Sequence, residues 1–165
     1  MDIIKLLQHE LTQEAATTRK FLALVPFEKA DYAPHEKSMK MMDLATHIAD
    51  LMNWPKLGVS TNELDFATAP YNPVKVENND ELIAVLDKGL NESLESLAEI
   101  EEAFLEQPWI LRTGDHIHAE MTKYGIIRVA LSQTIHHRAQ LGVYLRLLNI
   151  PIPGSYGPSA DEQNF

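Results

Sequence analysis

The sequence predicts an all-α protein folded as an antiparallel four-helix bundle, and three observations carry that prediction. Apolar residues return at helical spacing along four long stretches. Prolines bracket those stretches, where a missing amide hydrogen does least harm. The chain has 165 residues, 45% of them hydrophobic and 23% charged, which is ordinary globular usage. A chain of this length buries roughly 70% of its unfolded surface on folding and needs no staple. No internal repeat or domain boundary is visible, so residues 1–165 are expected to form one domain.

The first helix is expected from about Ile3 to Leu24, with Ile4, Leu7, Leu11, Ala15, Thr18 and Leu22 on its apolar stripe. Pro26 and Pro34 bracket a connection, and Ser38 is the expected N-cap of the second helix. Met41, Leu44, Ala45, Ile48, Leu51 and Met52 form its broad apolar face, which is expected to end near Trp54 and Pro55. From Gly58 to Asn79 there is no sustained period, so a long surface crossover is expected. Asn78 and Glu81 have capping-box spacing ahead of a third helix carrying Leu82, Leu86, Leu90, Leu97 and Phe104. The segment Pro108 to Met121 alternates enough for a short extended piece or hairpin. A fourth helix follows from about Thr122 to Asn149 and is stopped by Pro151. The tail, PIPGSYGPSADEQNF, holds too much proline and glycine for regular structure.

Composition narrows the function classes. Fourteen basic against 24 acidic residues leave a formal charge of −10, which repels phosphate backbones and anionic lipid heads and so argues against nucleic acid and membrane partners. The longest uninterrupted apolar run, Phe21 to Phe27, is far short of the roughly 20 residues that span a bilayer. Cysteine is absent, which removes disulfides, thiolate zinc sites and a cysteine nucleophile. A cytoplasmic address is the expectation. Phosphate-binding glycine loops, the His-Glu-x-x-His zinc motif, Glu-x-x-His pairs and nucleophile elbows are all missing.

Chemistry therefore rests on the histidines. His47 has Leu44, Ile48 and Leu51 as helical neighbours, so it lies on or beside a buried face, where its ring needs a partner. A lone histidine there is more often a satisfied core residue than a ligand. On the fourth helix Val129, Gln133, His137 and Leu141 follow at intervals of four and line one stripe, which puts Gln133 and His137 about 6 Å apart on one face. His136 is turned about 100° from His137. If the second and fourth helices pack together, His47 faces Gln133 and His137, and a divalent ion would receive three protein ligands and keep open positions.

Two blocks of the chain resemble the DinB-like superfamily of metal-dependent bundle proteins, often described as DNA-damage-inducible. EAATTRKFLALVPFEKADYAPHEKSMKMMDLATHIADL is similar to that family's first two helices, and QTIHHRAQLGVYLRLLNIPIPGSYGPSADE to its most recognisable block, a histidine, three residues and a second histidine, followed by Arg and Gln. The resemblance implies an up-down-down-up four-helix bundle, frequently homodimeric, holding a divalent ion such as nickel or zinc with three histidines. Two of those ligands fall on His47 and His137. The third falls on Gln133, a departure that matters because an amide oxygen is a poorer donor than imidazole for such metals. Ala139 stands where the family usually has glycine. Asp43 and the His116/His118 pair are the nearest sequence candidates to complete a weakened site.

His136, Arg138 and Gln140 flank the ligand position and are expected to support it, since a ligating histidine needs an acceptor for its other ring proton. Arg138 has a second reading, pairing with acids such as those of the third helix, or anchoring an anionic substrate. Relatives in the superfamily include thiol-dependent transferases and isomerases. The resemblance thus implies an enzyme that binds a low-molecular-weight thiol as thiolate and aims it at a small electrophile. The alternatives are a non-catalytic small-ligand or stress-response bundle in which Gln133 marks decay of the site, and a structural dimer module.

Overall fold

The computed structural model describes residues 2–163. Helix α1 spans Ile3–Leu22 and is capped by the Asp2 side chain, which accepts the Lys5 amide at 3.0 Å. Its buried residues Leu7, Leu11, Ala15, Thr18 and Leu22 are the expected stripe. Helix α2 spans Met41–Asp50, two residues later than a Ser38 cap requires. Ser38 is instead spent in a turn, its amide donating to the His35 carbonyl at 2.9 Å. The first amides of α2 find loop carbonyls: Met41 donates to Tyr32 at 2.7 Å and Met42 to Ala30 at 3.1 Å.

Pro55 does not end the second helical rod. One 3-10 turn, Leu51–Asn53, leads into α3, Trp54–Ser60, and Pro55 sits in the first turn of α3, where no amide hydrogen is needed. The break is bridged from outside by the buried Ser93, whose hydroxyl donates to the Met52 carbonyl at 2.6 Å and accepts the Lys56 amide at 3.1 Å. The C-terminal end of α3 is closed by Lys123, 1% exposed, whose ammonium donates to the carbonyls of Gly58, Val59 and Thr61.

Helix α4 spans Asn79–Ala98, with Asn78 accepting the Glu81 amide at 2.9 Å while the Glu81 carboxylate accepts the Glu77 amide at 2.9 Å. The third helix was expected to run to Phe104; that residue lies instead in a separate 3-10 segment, Glu102–Glu106. The expected hairpin is present as β2, Pro108–Thr113, and β3, His116–Thr122, paired antiparallel around Gly114 at φ +57°. Helix α5 spans Lys123–Leu147 and ends on Asn149 at φ 59°, with Ile150 donating back to Leu145 at 3.0 Å and Asn149 to Arg146 at 3.0 Å.

The all-α expectation needs one correction. The crossover contains a strand, β1, Glu63–Asp65, that pairs in parallel with β2 and makes a three-stranded sheet in the order β1-β2-β3. Asp65, buried, secures this edge by accepting the amides of Ala67 and Gly114 at 2.9 Å each and by pairing with Arg112 at 2.9 Å. The rods themselves pack as a square: α1 and α2 each lie against α4 and α5, while α1 and α2 barely meet. Leu11, Leu22, Leu44, Ile48, Leu86, Leu97, Ile127, Leu131 and Leu145 fill the space between them. No helix among the described residues is long and apolar enough to cross a membrane.

Candidate functional site

Because α2 lies against α5, two histidines far apart in the chain meet. The rings of His47 and His137 stand edge to face, with centroids 4.8 Å apart and planes at 77°. The crossover adds Tyr71, whose ring meets His47 edge-on at 5.9 Å. Both histidines are half-buried. Burial, and then the nearness of His137, push His47 down to about 4. Burial also lowers His137, opposed by its bond to Gln140 and reinforced by His136. Both rings are therefore neutral at pH 7 and offer lone pairs.

The orientation of His137 follows from its partner. Its Nδ1 lies 2.7 Å from Oε1 of Gln140, and an amide oxygen only accepts, so Nδ1 carries the proton and Nε2 keeps its lone pair. No ring nitrogen of His47 has a hydrogen-bond partner among the described residues. This is the arrangement a ligating imidazole needs, one nitrogen fixed by an outer acceptor and the other open.

The remaining residues of the expected site are less concentrated. Gln133 is exposed, one turn before His137, and makes no hydrogen bond to either ring; with Arg128, Val129, Ser132 and His136 it lines an open groove along α5. His136 is also exposed, its ring 5.0 Å from that of His137. Asp43 is exposed on α2; burial, then the charge of Asp50 and lastly that of Asp43, raise Tyr71. His116 and His118 meet edge to face at 4.8 Å on the hairpin, where His118 bonds the Thr113 hydroxyl at 2.8 Å. Among the described residues no three His, Cys, Asp or Glu side chains converge in a metal-holding group. The structure therefore brings two imidazoles together, while the Gln133 amide lies one turn away on the same helix.

Arg138 takes no part in the histidine pair. It is 2% exposed and points the other way, onto α1, where its Nη1 donates to the Glu14 carboxylate at 2.6 Å and the Thr18 hydroxyl at 3.1 Å. Tyr156 of the C-terminal tail closes the knot: its hydroxyl accepts from Arg138 at 3.0 Å and donates to Glu14 at 2.7 Å. Arg138 does pair with an acid, but one of the first helix rather than the third. Tyr71, which walls the histidine pair, has no periodic signal in the sequence; only the path of the crossover brings it there.

A half-wrapped pair of neutral imidazoles between two rods of a helical bundle defines a class of site, one held by neighbouring helices rather than by loops. The DinB family model matches residues 2–164, and the chain belongs to that family. Solved structures with a similar fold include a DinB-like protein from Bacillus subtilis, at 16% identity and a TM-score of 0.68, covering 96% of this chain and 99% of that one. A DinB family member from Exiguobacterium sibiricum shows 22% identity and a TM-score of 0.67 over 93% of this chain and 97% of that one. A DinB-like protein from Bacillus cereus gives 18% identity and a TM-score of 0.67 over 91% and 95%. No curated protein matches the chain.

Proposed function

We propose that the protein is a metal-dependent enzyme of the DinB-like type, with His47 and His137 as imidazole donors and Gln133 as a third, weaker one. The observation that supports this reading is the His47–His137 contact, in which both rings are neutral and one is oriented by Gln140. Nickel or zinc suits imidazole nitrogen. Such an ion, when bound, stabilises an external low-molecular-weight thiol as thiolate at neutral pH, the chain having no cysteine of its own. The chain's own part is to present two uncharged nitrogens, to hold the His137 proton on Nδ1, and to shelter the rings beneath Tyr71. Thiol-dependent S-transfer or isomerisation of a small electrophile is the reaction class that follows. His136 borders the groove where such a substrate would enter. The same reading includes the up-down-down-up order of the rods and a homodimer.

The test is metal content in protein purified without a histidine tag and reconstituted with Ni²⁺ or Zn²⁺. About one ion per chain, lost in His47→Ala and His137→Ala, is expected. A chain that stays empty removes the mechanism.

Gln133 supports a second reading, a non-catalytic small-ligand or stress-response bundle whose site has decayed. Gln133→His separates the two: a metal affinity raised by orders of magnitude favours decay, because imidazole replaces an amide.

A further inference from the structure

One helical turn beyond His47 on the same rod is Asp50, and one turn further is Asn53. These two residues form the wall between two cavities. One, of about 270 Å³, opens toward α4 and is lined also by Val74, Val85 and Lys88. The other, of about 260 Å³, lies beneath the crossover at Tyr71.

Three features of this cleft are unexplained by packing. Asn53 Oδ1 is buried without a hydrogen-bond partner, the one such side-chain atom among the described residues. The half-buried Asp50 carboxylate forms no ion pair among the described residues; burial raises its pKa, opposed by a hydrogen bond from the Trp54 side chain. Across the cavity Lys88 is exposed and likewise forms no ion pair among the described residues, whereas its neighbour Glu92 is taken up by Lys56 at 2.9 Å. The cleft therefore presents a carboxylate without a counter-ion, an ammonium without one, and an apolar strip made by Val74 and Val85. Gly89 allows the close fit of α4 to this wall: a Cβ there would stand 2.9 Å from the Asn53 backbone nitrogen.

We propose that this cleft binds a small zwitterion of the amino-acid type. Its ammonium pairs with the Asp50 carboxylate, its carboxylate meets Lys88, and its aliphatic part lies on Val74 and Val85. The complementarity is charge by charge, and the volume accommodates a side chain of a few carbons. A neutral or purely anionic ligand leaves Asp50 unmatched, and a simple amine leaves Lys88 unmatched. The inference does not require a metal at the histidine pair.

The test uses the metal-free full chain, labelled with ¹⁵N, titrated with L-norvaline, N-acetyl-L-norvaline and n-butylamine. Norvaline is expected to shift the amides of Asp50, Asn53 and Gly89 saturably, and blocking its amine to weaken binding about tenfold or more, as loss of a charge-assisted hydrogen bond does. Asp50→Asn is expected to have an effect of the same size, and Lys88→Met to weaken norvaline but not butylamine; the spectra themselves report whether each variant is folded. Absence of saturable shifts, equal binding of the acetylated compound, or equal losses for norvaline and butylamine in Lys88→Met overturns the proposal. Because no metal is present, failure here leaves the reconstitution result at His47 and His137 to be judged separately.

Discussion

His137 and Arg138 are consecutive on α5, yet their side chains enter opposite kinds of environment. Arg138 is held in a saturated knot, with Glu14, Thr18 and Tyr156 answering its guanidinium and each other. His137 looks the other way, into a pair of neutral rings where, among the described residues, only one of four ring nitrogens, its own Nδ1, is bonded. The knot joins α1, α5 and the tail, and its groups have nothing left to offer a ligand. The histidine pair joins α2 and α5 and keeps its lone pairs unused. Polar groups at a buried surface serve stability when they are matched internally and serve binding when they are left unmatched.

Four experiments break or sharpen this contrast. The largest effect is expected from Arg138→Met, which leaves Glu14 buried without its partner and costs about 3–5 kcal/mol. For a chain of this size that lowers Tm by roughly 6–20 °C. A loss below about 1 kcal/mol in chemical denaturation would erase the distinction between knot and site. Gly89→Ala comes next: the new Cβ meets the backbone of Asn53 at 2.9 Å and of Met52 at 3.1 Å, so α4 must move off the wall. Overpacking of this kind costs about 1–3 kcal/mol, seen as a lower urea midpoint at unchanged slope.

The third concerns pH. His47 titrates at about 4 in the fold against 6.5 unfolded, so the unfolded chain takes up its proton first. Stability from this ring is complete above pH 6.5, is lost as pH falls from there toward 4, and then levels off. With its open side allowed for, the ring contributes roughly 1–2 kcal/mol. His47→Gln should be correspondingly less sensitive than the natural chain when urea unfolding is compared at pH 7 and pH 4.5. Parallel curves for the two proteins would contradict the buried neutral ring. The smallest effect belongs to Gln140→Ala, an exposed position expected to change stability by less than about 0.5 kcal/mol. Its signature lies elsewhere: removing the acceptor should lower the His137 pKa further, as followed by NMR, and an unchanged titration would mean that Nδ1 is not held.

Much of the frame was legible from periodicity, because α1, α4 and α5 each bury one stripe and carry local caps at Asp2, Asn78 and Thr122. Where local rules failed, a distant group had replaced the local one. Ser38 looked like a cap, but carbonyls of the preceding loop satisfy α2 instead. Pro55 looked like a stop, but Ser93 on α4 bridges the break. Strand β1 carries too few residues for a pattern and exists because β2 lies beside it. At the site, His47, Gln133 and His137 could be placed on stripes from spacing alone, and the contact between the two imidazoles agrees with that placement. Tyr71, Asp50 and Asn53 could not be found that way, since nothing in their spacing marks a wall.

What the linear chain settled by itself was which residues share a helix face and the cap of α4 at Asn78, since both depend on neighbours within one turn. What only the folded molecule decided was the pairing of faces. The square of rods sets His137 against His47 and Arg138 against Glu14, and the choice depends on how four apolar stripes close around one core, a property of all of them together and of none alone.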